Sequence, residues 1–386
     1  MMAKKKVLIP YPRLSRIGGG NGVAGWIIQA LVNDGWRVTL ATLDTPDFGG
    51  VDRFFGTALS GADIDVRLAP EGWRQALRRL PIPGAFIEMA VMERFAASLC
   101  RDASFELLFS ANNEMSFVQP GLQYIHFPRY RNERPPQDYH WYHRLPGLLA
   151  LYRRLAAGIA GSGLCDWSDN RALANSQFIA QMYQQAGGGE VEVVHPPVVG
   201  NFPDVPWAAR QDRMVAVGRI HRSKRMLEMI EIVERIRETT PDLEFWIVGE
   251  FDCDEAYRRA ILQKQAESDW IKMVENPDRD ALIDLLSTSR YGLHAMEEEH
   301  FGMGVAEMQE AGMIVFAPSS GGPLEILAGD SRVLFSSMED AVNKIKMMLA
   351  SSEVRDSLLS CVASRHGNFS TEVFCSRIQC LANEMV

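Results

Sequence analysis

The stretch RMVAVGRIHRSKRMLEMIEIVERIRETTPDLEFWIVGEF, residues 213–251, decides the fold class. RMVAVGRI is a short apolar run, which favours a buried strand. RMLEMIEIVERIRETTP carries apolar residues at helical spacing and ends at a proline, and LEFWIVGEF is a second apolar run. A strand, a helix and a strand in this order are typical of a parallel α/β sheet.

The same alternation continues on both sides of this stretch. Strands are predicted after it at WIKMVEN, YGLHAM and IVFAPSSGG, and before it at KKVLIPYP, WRVTLATL, FELLFSA, LQYIHFP and the start of RALANSQFIAQMYQQAGGG. A glycine-rich turn, RIGGGNG, follows the first strand, and the helix VAGWIIQALVNDG follows that turn. We therefore predict two Rossmann-like, doubly wound α/β domains that meet near the proline-rich residues 195–206.

Composition excludes several classes of protein. The chain has 386 residues, 47% of them hydrophobic and 23% charged, as in soluble globular proteins of two or three domains. Its net charge of −9 argues against a nucleic-acid partner. The basic N-terminus precedes only a short apolar run, and no apolar stretch is long enough to span a membrane. Six cysteines without CxxC spacing indicate reduced thiols, and we expect a cytoplasmic protein.

Two cations follow the predicted strand RMVAVGRI. Arg219 comes directly after its glycine, and Lys224 lies near the start of the next helix. Two cations together with helix N–H groups at one strand end suit a diphosphate. Solvated surface cations are the alternative that the residues alone leave open.

The stretch EHFGMGVAE, residues 299–307, carries the second group of candidates. Gly302 and Gly304 allow a ligand to approach the backbone, and they precede a predicted helix, GVAEMQEAGM, whose first turn favours anions. Glu299 is suited to sugar hydroxyls, and Glu307, which we place in the first turn of this helix, to the two adjacent hydroxyls of a ribose. Glu297 is predicted to be ordinary surface charge, as is Glu298.

Together, these motifs resemble the retaining glycosyltransferases of family 4. The shared features are G-R-x4-K at a strand end, E-x7-E with Phe-Gly after the first glutamate, and the Gly-Gly-x-x-Glu loop in SSGGPLEIL. The resemblance implies the GT-B fold, in which two Rossmann-like domains face each other across a cleft. It implies an acceptor-binding domain at 1–198, a nucleotide-sugar domain at 199–365, and a C-terminal helix at 366–386 that packs back on the first domain.

A narrower resemblance concerns the donor. EHFGMGVAEMQEAGMIVFAPSSGGP, YIHFP and VVHPPV are similar to the GDP-mannose-dependent α1,2-mannosyltransferases of dolichol-linked oligosaccharide synthesis. This favours GDP-mannose as the donor over a UDP-sugar, and a glycan or lipid-linked saccharide as the acceptor. The family resemblance also implies transfer with retention of configuration and no required metal, because Arg219 and Lys224 can neutralise the departing diphosphate.

The resemblance also assigns roles residue by residue. Catalysis falls to a set of charged and polar side chains, namely Glu299, His126, Arg219 and Lys224. Donor binding is assigned to those cations and Glu299, to the backbone of Phe301, Gly302 and Met303, to Glu307, and to the first-domain glycines Gly18, Gly19 and Gly20. The nucleotide base is expected near Val274–Pro277. The chain departs from the family at Asn21, where relatives often have glutamate.

Two basic segments suggest an anionic partner. Residues 67–89 mix Trp73 and leucines with arginines, a pattern that suits an anionic membrane surface as well as a solvated basic helix face. Arg129, Arg131 and Arg134 follow His126, where an acceptor phosphate is one hypothesis and a surface loop the other. Peripheral membrane contact is therefore an open alternative.

Two other functional classes remain as alternatives. GGGNGVAG resembles a dinucleotide fingerprint and would suit an NAD-dependent oxidoreductase, but the acidic residue expected after the second strand is displaced to Asp44. The second alternative is a non-catalytic protein that binds a sugar nucleotide. The presence of Arg219, Lys224, Glu299 and Glu307 together favours an enzyme.

Overall fold

The structure is a computed structural model, and it describes residues 4–15, 18–79, 85–130 and 147–386. The chain forms two compact units. Unit 1 contains Met1–Pro197 together with Thr371–Val386, and unit 2 contains Val198–Ser370. The domain limits that the family resemblance implies, 1–198, 199–365 and 366–386, remain a prediction.

Unit 1 is built on a seven-stranded parallel sheet with the order β3-β2-β1-β4-β5-β6-β7. Its strands are β1 (Lys6–Pro10), β2 (Arg37–Thr42), β3 (Ile64–Leu68), β4 (Leu107–Ser110), β5 (Leu122–Ile125), β6 (Arg171–Ala174) and β7 (Val191–Val193). Its first six helices are α1 (Gly19–Asn33), α2 (Phe48–Phe55), α3 (Glu71–Arg78), α4 (Ala85–Asp102), α5 (Leu148–Ala160) and α6 (Gln177–Gln185). The central strands are buried, as expected for a sheet covered on both faces.

Unit 2 is built on a six-stranded parallel sheet with the order β10-β9-β8-β11-β12-β13. Its strands are β8 (Gln211–Val217), β9 (Glu244–Gly249), β10 (Ile271–Glu275), β11 (Ser289–Leu293), β12 (Ile314–Pro318) and β13 (Leu334–Phe335). Its helices are α7 (Met226–Arg237), α8 (Glu255–Ala266), α9 (Arg279–Ser287), α10 (Met303–Glu310), α11 (Pro323–Ile326), α12 (Met338–Ala350) and α13 (Ser352–Arg365). The strand order reverses between β8 and β11, so the carboxyl ends of these two strands form the switch point where ligands bind in such sheets.

A last helix, α14 (Thr371–Glu384), returns to unit 1 and packs against α1. Phe374, Ile378 and Leu381 are buried there, in the same core cluster as the apolar face of α1. Side-chain hydrogen bonds fix the contact, since Gln379 donates to the carbonyl of Ala30 at 2.9 Å. The predicted C-terminal helix is thus an integral part of the unit 1 core.

The predicted doubly wound α/β architecture is confirmed, and the strands named in the sequence analysis are present. Three strands were not predicted: β3, β7 and β13. The side chains of β3 and β7 are partly or fully exposed and lack a continuous apolar run, and β13 has only two residues. Such short or half-exposed strands carry a weak sequence signal.

Candidate active site

The site in unit 2 lies where β8 and β9 end close together. Gly218 follows β8 and has a φ angle of 142°, and Gly249 is the last residue of β9 and has a φ angle of 153°. A Cβ atom on Gly249 would lie 1.9 Å from the carbonyl oxygen of Gly218, so only glycine fits there. The two strand ends therefore approach at backbone distance, directly before Arg219.

The two cations predicted to act together differ in their surroundings. The side chain of Arg219 is 64% exposed, and its Nη1 forms an ion pair with Asp252 Oδ2 at 2.5 Å. The side chain of Lys224 is only 18% exposed, and its Nζ hydrogen-bonds to Glu299 Oε2. The structure therefore brings Lys224 to the predicted sugar-binding carboxylate and leaves Arg219 on the surface beside Asp252.

Glu299 is a buried carboxylate that stays ionised. Its side chain is 11% exposed. Burial alone would raise the pKa of Glu299, but the neighbouring Lys224 ammonium and His294 hold that pKa well below the usual range. At neutral pH the site therefore contains a fixed negative charge against a fixed positive one.

His294 completes this group and was missed in the sequence analysis. It directly follows β11, its side chain is 7% exposed, and its Nε2 lies 3.4 Å from Glu299 Oε2. Burial lowers the pKa of His294, although Glu299 acts in the opposite direction. From the sequence, a lone histidine at the end of the buried strand YGLHAM is indistinguishable from a core residue.

The turn that carries Glu299 is held by the loop SSGG, residues 319–322. The N–H of Gly322 donates to the carbonyl of Glu299 at 2.8 Å, and the Oγ of Ser320 accepts from the N–H of Glu298. A Cβ atom on Gly321 would lie 2.4 Å from the carbonyl oxygen of Glu299. The glycines therefore let the loop pack directly on the turn and fix the position of the carboxylate.

Helix α10 starts beside the end of β8. Gly302 caps it in a left-handed conformation with φ 103°. A Cβ atom on Gly304 would lie 2.6 Å from the carbonyl oxygen of Val217, so this glycine lets the helix N-terminus reach the strand end. Phe301 is buried and packs edge-on against Phe369, which anchors the turn. The first N–H groups of a helix have no intrahelical acceptor and favour an anion, here next to Lys224.

The placement of Glu307 in the first helical turn was wrong. Because α10 begins at Met303, Glu307 lies in the second turn, and complementing the helix dipole does not explain it. Its Oε1 accepts from Arg279 Nη1 at 2.5 Å, and both side chains are largely buried. Arg279 also donates to the carbonyl of Val199. The sequence did not indicate Arg279, the first residue of α9, because it lies far from Glu307 along the chain.

In unit 1, the glycine-rich turn is shorter than predicted. Gly18 has a φ of 93° and caps α1, whereas Gly19 and Gly20 are already its first helical residues. The predicted helix start at Val23 was therefore wrong. Asn21, the departure from the family, has its side-chain oxygen 3.3 Å from the N–H of Ser15, from which it accepts a hydrogen bond. This asparagine therefore holds the loop after β1 against the start of α1.

His126 lies next to this helix start. It directly follows β5 and is half-buried, and a Cβ atom on Gly20 would lie 3.8 Å from its Nε2. The His126 Nε2 also lies 3.1 Å from the carbonyl oxygen of Ala111, which fits a donor nitrogen. Its backbone N–H donates to Asn113 Oδ1 at 2.7 Å. The structure thus brings Gly20 and His126 together.

The basic segments have several contacts within the protein. Trp73 and Leu77 of α3 pack against a core cluster of unit 1. The guanidinium of Arg129 donates to the carbonyls of Asn112 and Glu114. Leu80, Arg131 and Arg134 lie outside the described residues. Membrane contact and binding of an acceptor phosphate remain predictions.

Among the described residues, no helix is both long and apolar enough to cross a membrane. Neither do the described residues contain a cluster of three or more histidine, cysteine, aspartate or glutamate side chains that could hold a metal ion.

The region that holds this charged group matches a known family model. The model, described as glycosyl transferases group 1, matches residues 201–359. The matched region contains Arg219, Lys224, Glu299 and Glu307, as well as His294.

Curated relatives of the chain carry one name, GDP-Man:Man(3)GlcNAc(2)-PP-Dol alpha-1,2-mannosyltransferase. The human protein is 30% identical over 210 residues, which are 48% of this chain and 42% of the human one. The Dictyostelium discoideum protein is 26% identical over 191 residues, 45% and 38% of the two chains. The chain thus spans less than half the length of these relatives.

Solved structures resemble the whole chain. WaaG, a glycosyltransferase involved in lipopolysaccharide biosynthesis, has a TM-score of 0.66 and 13% identity, covering 97% of this chain and 99% of its own. Anabaena HepE in complex with UDP-glucose has a TM-score of 0.68 and 15% identity, covering 98% and 99%. The chain has the GT-B fold, which confirms the predicted fold class.

Proposed function

We propose that this chain is a retaining glycosyltransferase, a hexosyltransferase that moves mannose from GDP-mannose onto a lipid-linked saccharide. The observation that carries the proposal is the buried ion pair of Lys224 and Glu299 beside the N-terminus of α10. The site combines a carboxylate, which accepts hydrogen bonds from hydroxyls, with N–H donors that suit a phosphate. The names of the curated relatives support the donor and the acceptor.

The charges of the site match the needs of the reaction. Breaking a bond between a sugar and a diphosphate builds negative charge on the departing oxygens, and fixed donors stabilise that charge. An ammonium group has three N–H donors, so Lys224 can keep its bond to Glu299 and still donate to a phosphate. The N–H groups at the start of α10 add to the positive electrostatic potential that favours the diphosphate. Arg219 is bonded to Asp252 through Nη1, and the further N–H donors of its exposed guanidinium also suit a phosphate.

Glu299 is suited to hold the sugar. Its Oε2 is engaged by Lys224 and faces His294, whereas no described residue hydrogen-bonds to its Oε1. An ionised carboxylate oxygen accepts hydrogen bonds only, and it therefore fits the hydroxyl groups of a sugar. In this proposal the acceptor hydroxyl attacks from the face of the leaving group, so the anomeric configuration is retained.

Glu307 takes the ribose in this proposal. Its carboxylate is already oriented by Arg279, and a carboxylate can accept from two adjacent hydroxyls. In unit 1, His126 is assigned to the donor sugar and the acceptor, and the glycines Gly18, Gly19 and Gly20 are assigned to the donor diphosphate. The contact between Gly20 and His126 supports a shared role for these residues.

A nucleotide screen tests the donor. We expect GDP to raise the melting temperature more than UDP, ADP or NAD, since a ligand at 100 times its Kd adds about 2.7 kcal/mol of stability. A UDP-sugar remains the second candidate because the related fold of HepE is solved with UDP-glucose. A shift with UDP alone would favour that donor, and a shift with NAD alone would support an oxidoreductase.

A transfer assay tests the reaction. GDP-mannose and a lipid-linked saccharide are incubated with the chain, and mannosylated product is measured by mass spectrometry, with its anomeric configuration assigned by NMR. We expect an α-linked product that still forms with EDTA, because Lys224 and the start of α10 take the place of a metal. Nucleotide binding without transfer to any sugar acceptor would instead support a non-catalytic binding protein.

A further inference from the structure

We infer that His294 is a positioning residue in the proposed reaction. It holds one carboxylate oxygen of Glu299 so that the other carboxylate oxygen faces the donor sugar. This inference rests on the proposed function. It concerns a residue that does not itself reach the substrate and acts only through Glu299.

The contacts of the His294 ring carry the inference. Its Nε2 is buried and lies 3.4 Å from Glu299 Oε2, and it has no better-aligned hydrogen-bond partner among the described residues. A buried polar atom without a well-made hydrogen bond is costly, by about 1–3 kcal/mol. The position of this nitrogen is therefore explained by Glu299.

The two neighbours of Glu299 approach the same oxygen. Lys224 Nζ and His294 Nε2 both address Oε2, which leaves Oε1 as the free acceptor. One contact leaves a carboxylate free to rotate about its last bond, whereas two contacts from different elements define its plane. Lys224 belongs to the turn after β8, and His294 to the end of β11.

The backbone of His294 is itself firmly placed. Its N–H donates to the carbonyl of Phe316 in β12 at 2.9 Å, and Ala295 beyond it is buried. Burial favours the neutral imidazole, which adds a donor without adding a second positive charge beside Lys224. The tautomer with its proton on Nε2 fits, because an ionised carboxylate oxygen can only accept.

Two variants of similar shape separate positioning from packing. His294→Gln keeps an N–H donor, whereas His294→Met removes the donor and keeps the volume. Their Kd values for GDP and for GDP-mannose are measured by calorimetry, and their kcat and KM values for transfer from GDP-mannose are determined. His366→Gln is the matched control, because His366 is an exposed histidine that also lies beside a glutamate, Glu310.

We expect His294→Met to keep its affinity for GDP within about threefold and to lose the preference of the site for GDP-mannose over GDP. Its kcat/KM should fall about 10- to 100-fold, the effect of losing a hydrogen bond to a charged group. His294→Gln should recover most of this loss, and His366→Gln should behave as the unmodified chain.

Three results would overturn the inference. His294→Met could keep its full preference for GDP-mannose and its kcat/KM, or His294→Gln could be as defective as His294→Met. A His294→Met chain that no longer binds GDP would show that the ring serves the fold. If the unmodified chain neither prefers GDP-mannose to GDP nor transfers mannose, the proposed function itself fails.

Discussion

In each unit a helix with glycine in its first turn lies beside the end of the first strand, but the two helix starts are built differently. In unit 1 this helix is α1, the next element after β1, whereas in unit 2 it is α10, which follows β11 in the chain and packs against the end of β8. In unit 1, Gly20 lies beside the half-buried His126, and the Asn21 amide holds the segment of Ser15. In unit 2, Gly304 brings a helix to the strand end, beside the buried pair of Lys224 and Glu299.

The difference indicates where the chemistry requires fixed charge. Burying an ion pair carries a desolvation penalty of several kcal/mol per ion, which hydrophobic residues of similar volume would avoid. A protein that keeps such a pair at a switch point therefore favours a charged ligand there. In unit 1 the start of α1 lies beside a histidine ring and carries an asparagine amide instead, groups that suit sugar hydroxyls.

The largest expected effect is on transfer when the charge of unit 2 is removed. Lys224→Met should lower kcat/KM for transfer by about 100-fold or more, because the departing diphosphate and Glu299 both lose their cation. Lys344→Met is a matched control, since Lys344 is also partly buried and paired with an aspartate but lies on α12. Equal activity of the two variants would contradict the comparison.

The second prediction concerns the two glycines. Gly304→Ala should destabilise the chain by about 1–3 kcal/mol, because its Cβ would collide with the carbonyl of Val217. Gly20→Ala should be neutral or stabilising by up to about 1 kcal/mol, because its Cβ meets neighbours only at ordinary distance and alanine favours helix. Denaturant unfolding measures both. Similar losses of stability in Gly304→Ala and Gly20→Ala would contradict the tighter packing at Gly304.

The third prediction concerns pH. The folded state holds the pKa of Glu299 below its unfolded value, so the ionised group stabilises the fold above the unfolded pKa of about 4.3, and this contribution decreases as pH falls below it. We expect Glu299→Gln to lower the free energy of unfolding by about 2 kcal/mol at pH 7, with the difference from the unmodified chain shrinking towards pH 3. A difference that is constant with pH would contradict this assignment.

The smallest effect is expected at the exposed cation. Arg219→Ala should lower kcat/KM less than tenfold, since its guanidinium is largely solvated and already paired with Asp252. Arg222→Ala is the control, because Arg222 is similarly exposed and pairs with Asp254. A loss at Arg219 as large as that at Lys224 would mean that the exposed guanidinium contributes as much as the buried ammonium.

Much of the fold and part of the site could be predicted from the sequence. Buried parallel strands such as β8 and β9 have continuous apolar runs, and glycines mark their ends, so the two-unit architecture was accessible from the sequence. Lys224 and Glu299 were found because they belong to motifs with fixed spacing. The edge strand β3 was missed because its side chains are half exposed and alternate in character.

The remainder depends on contacts between distant segments. His294 faces Glu299 only because β11 ends beside the turn that carries Glu299, and Arg279 reaches Glu307 only because α9 starts there. The different exposures of Arg219 and Lys224 also depend on the chain around them. Spacing along the sequence carries no information about which of two nearby cations becomes buried.

Hydrogen exchange with and without GDP locates the bound diphosphate, and it therefore shows whether Lys224 and the start of α10 bind it. We expect slower exchange of the backbone amides in residues 299–307 and 218–225 of unit 2, and loss of this protection in Lys224→Met. Protection confined to residues 18–33 of unit 1, with none at 299–307, would contradict it.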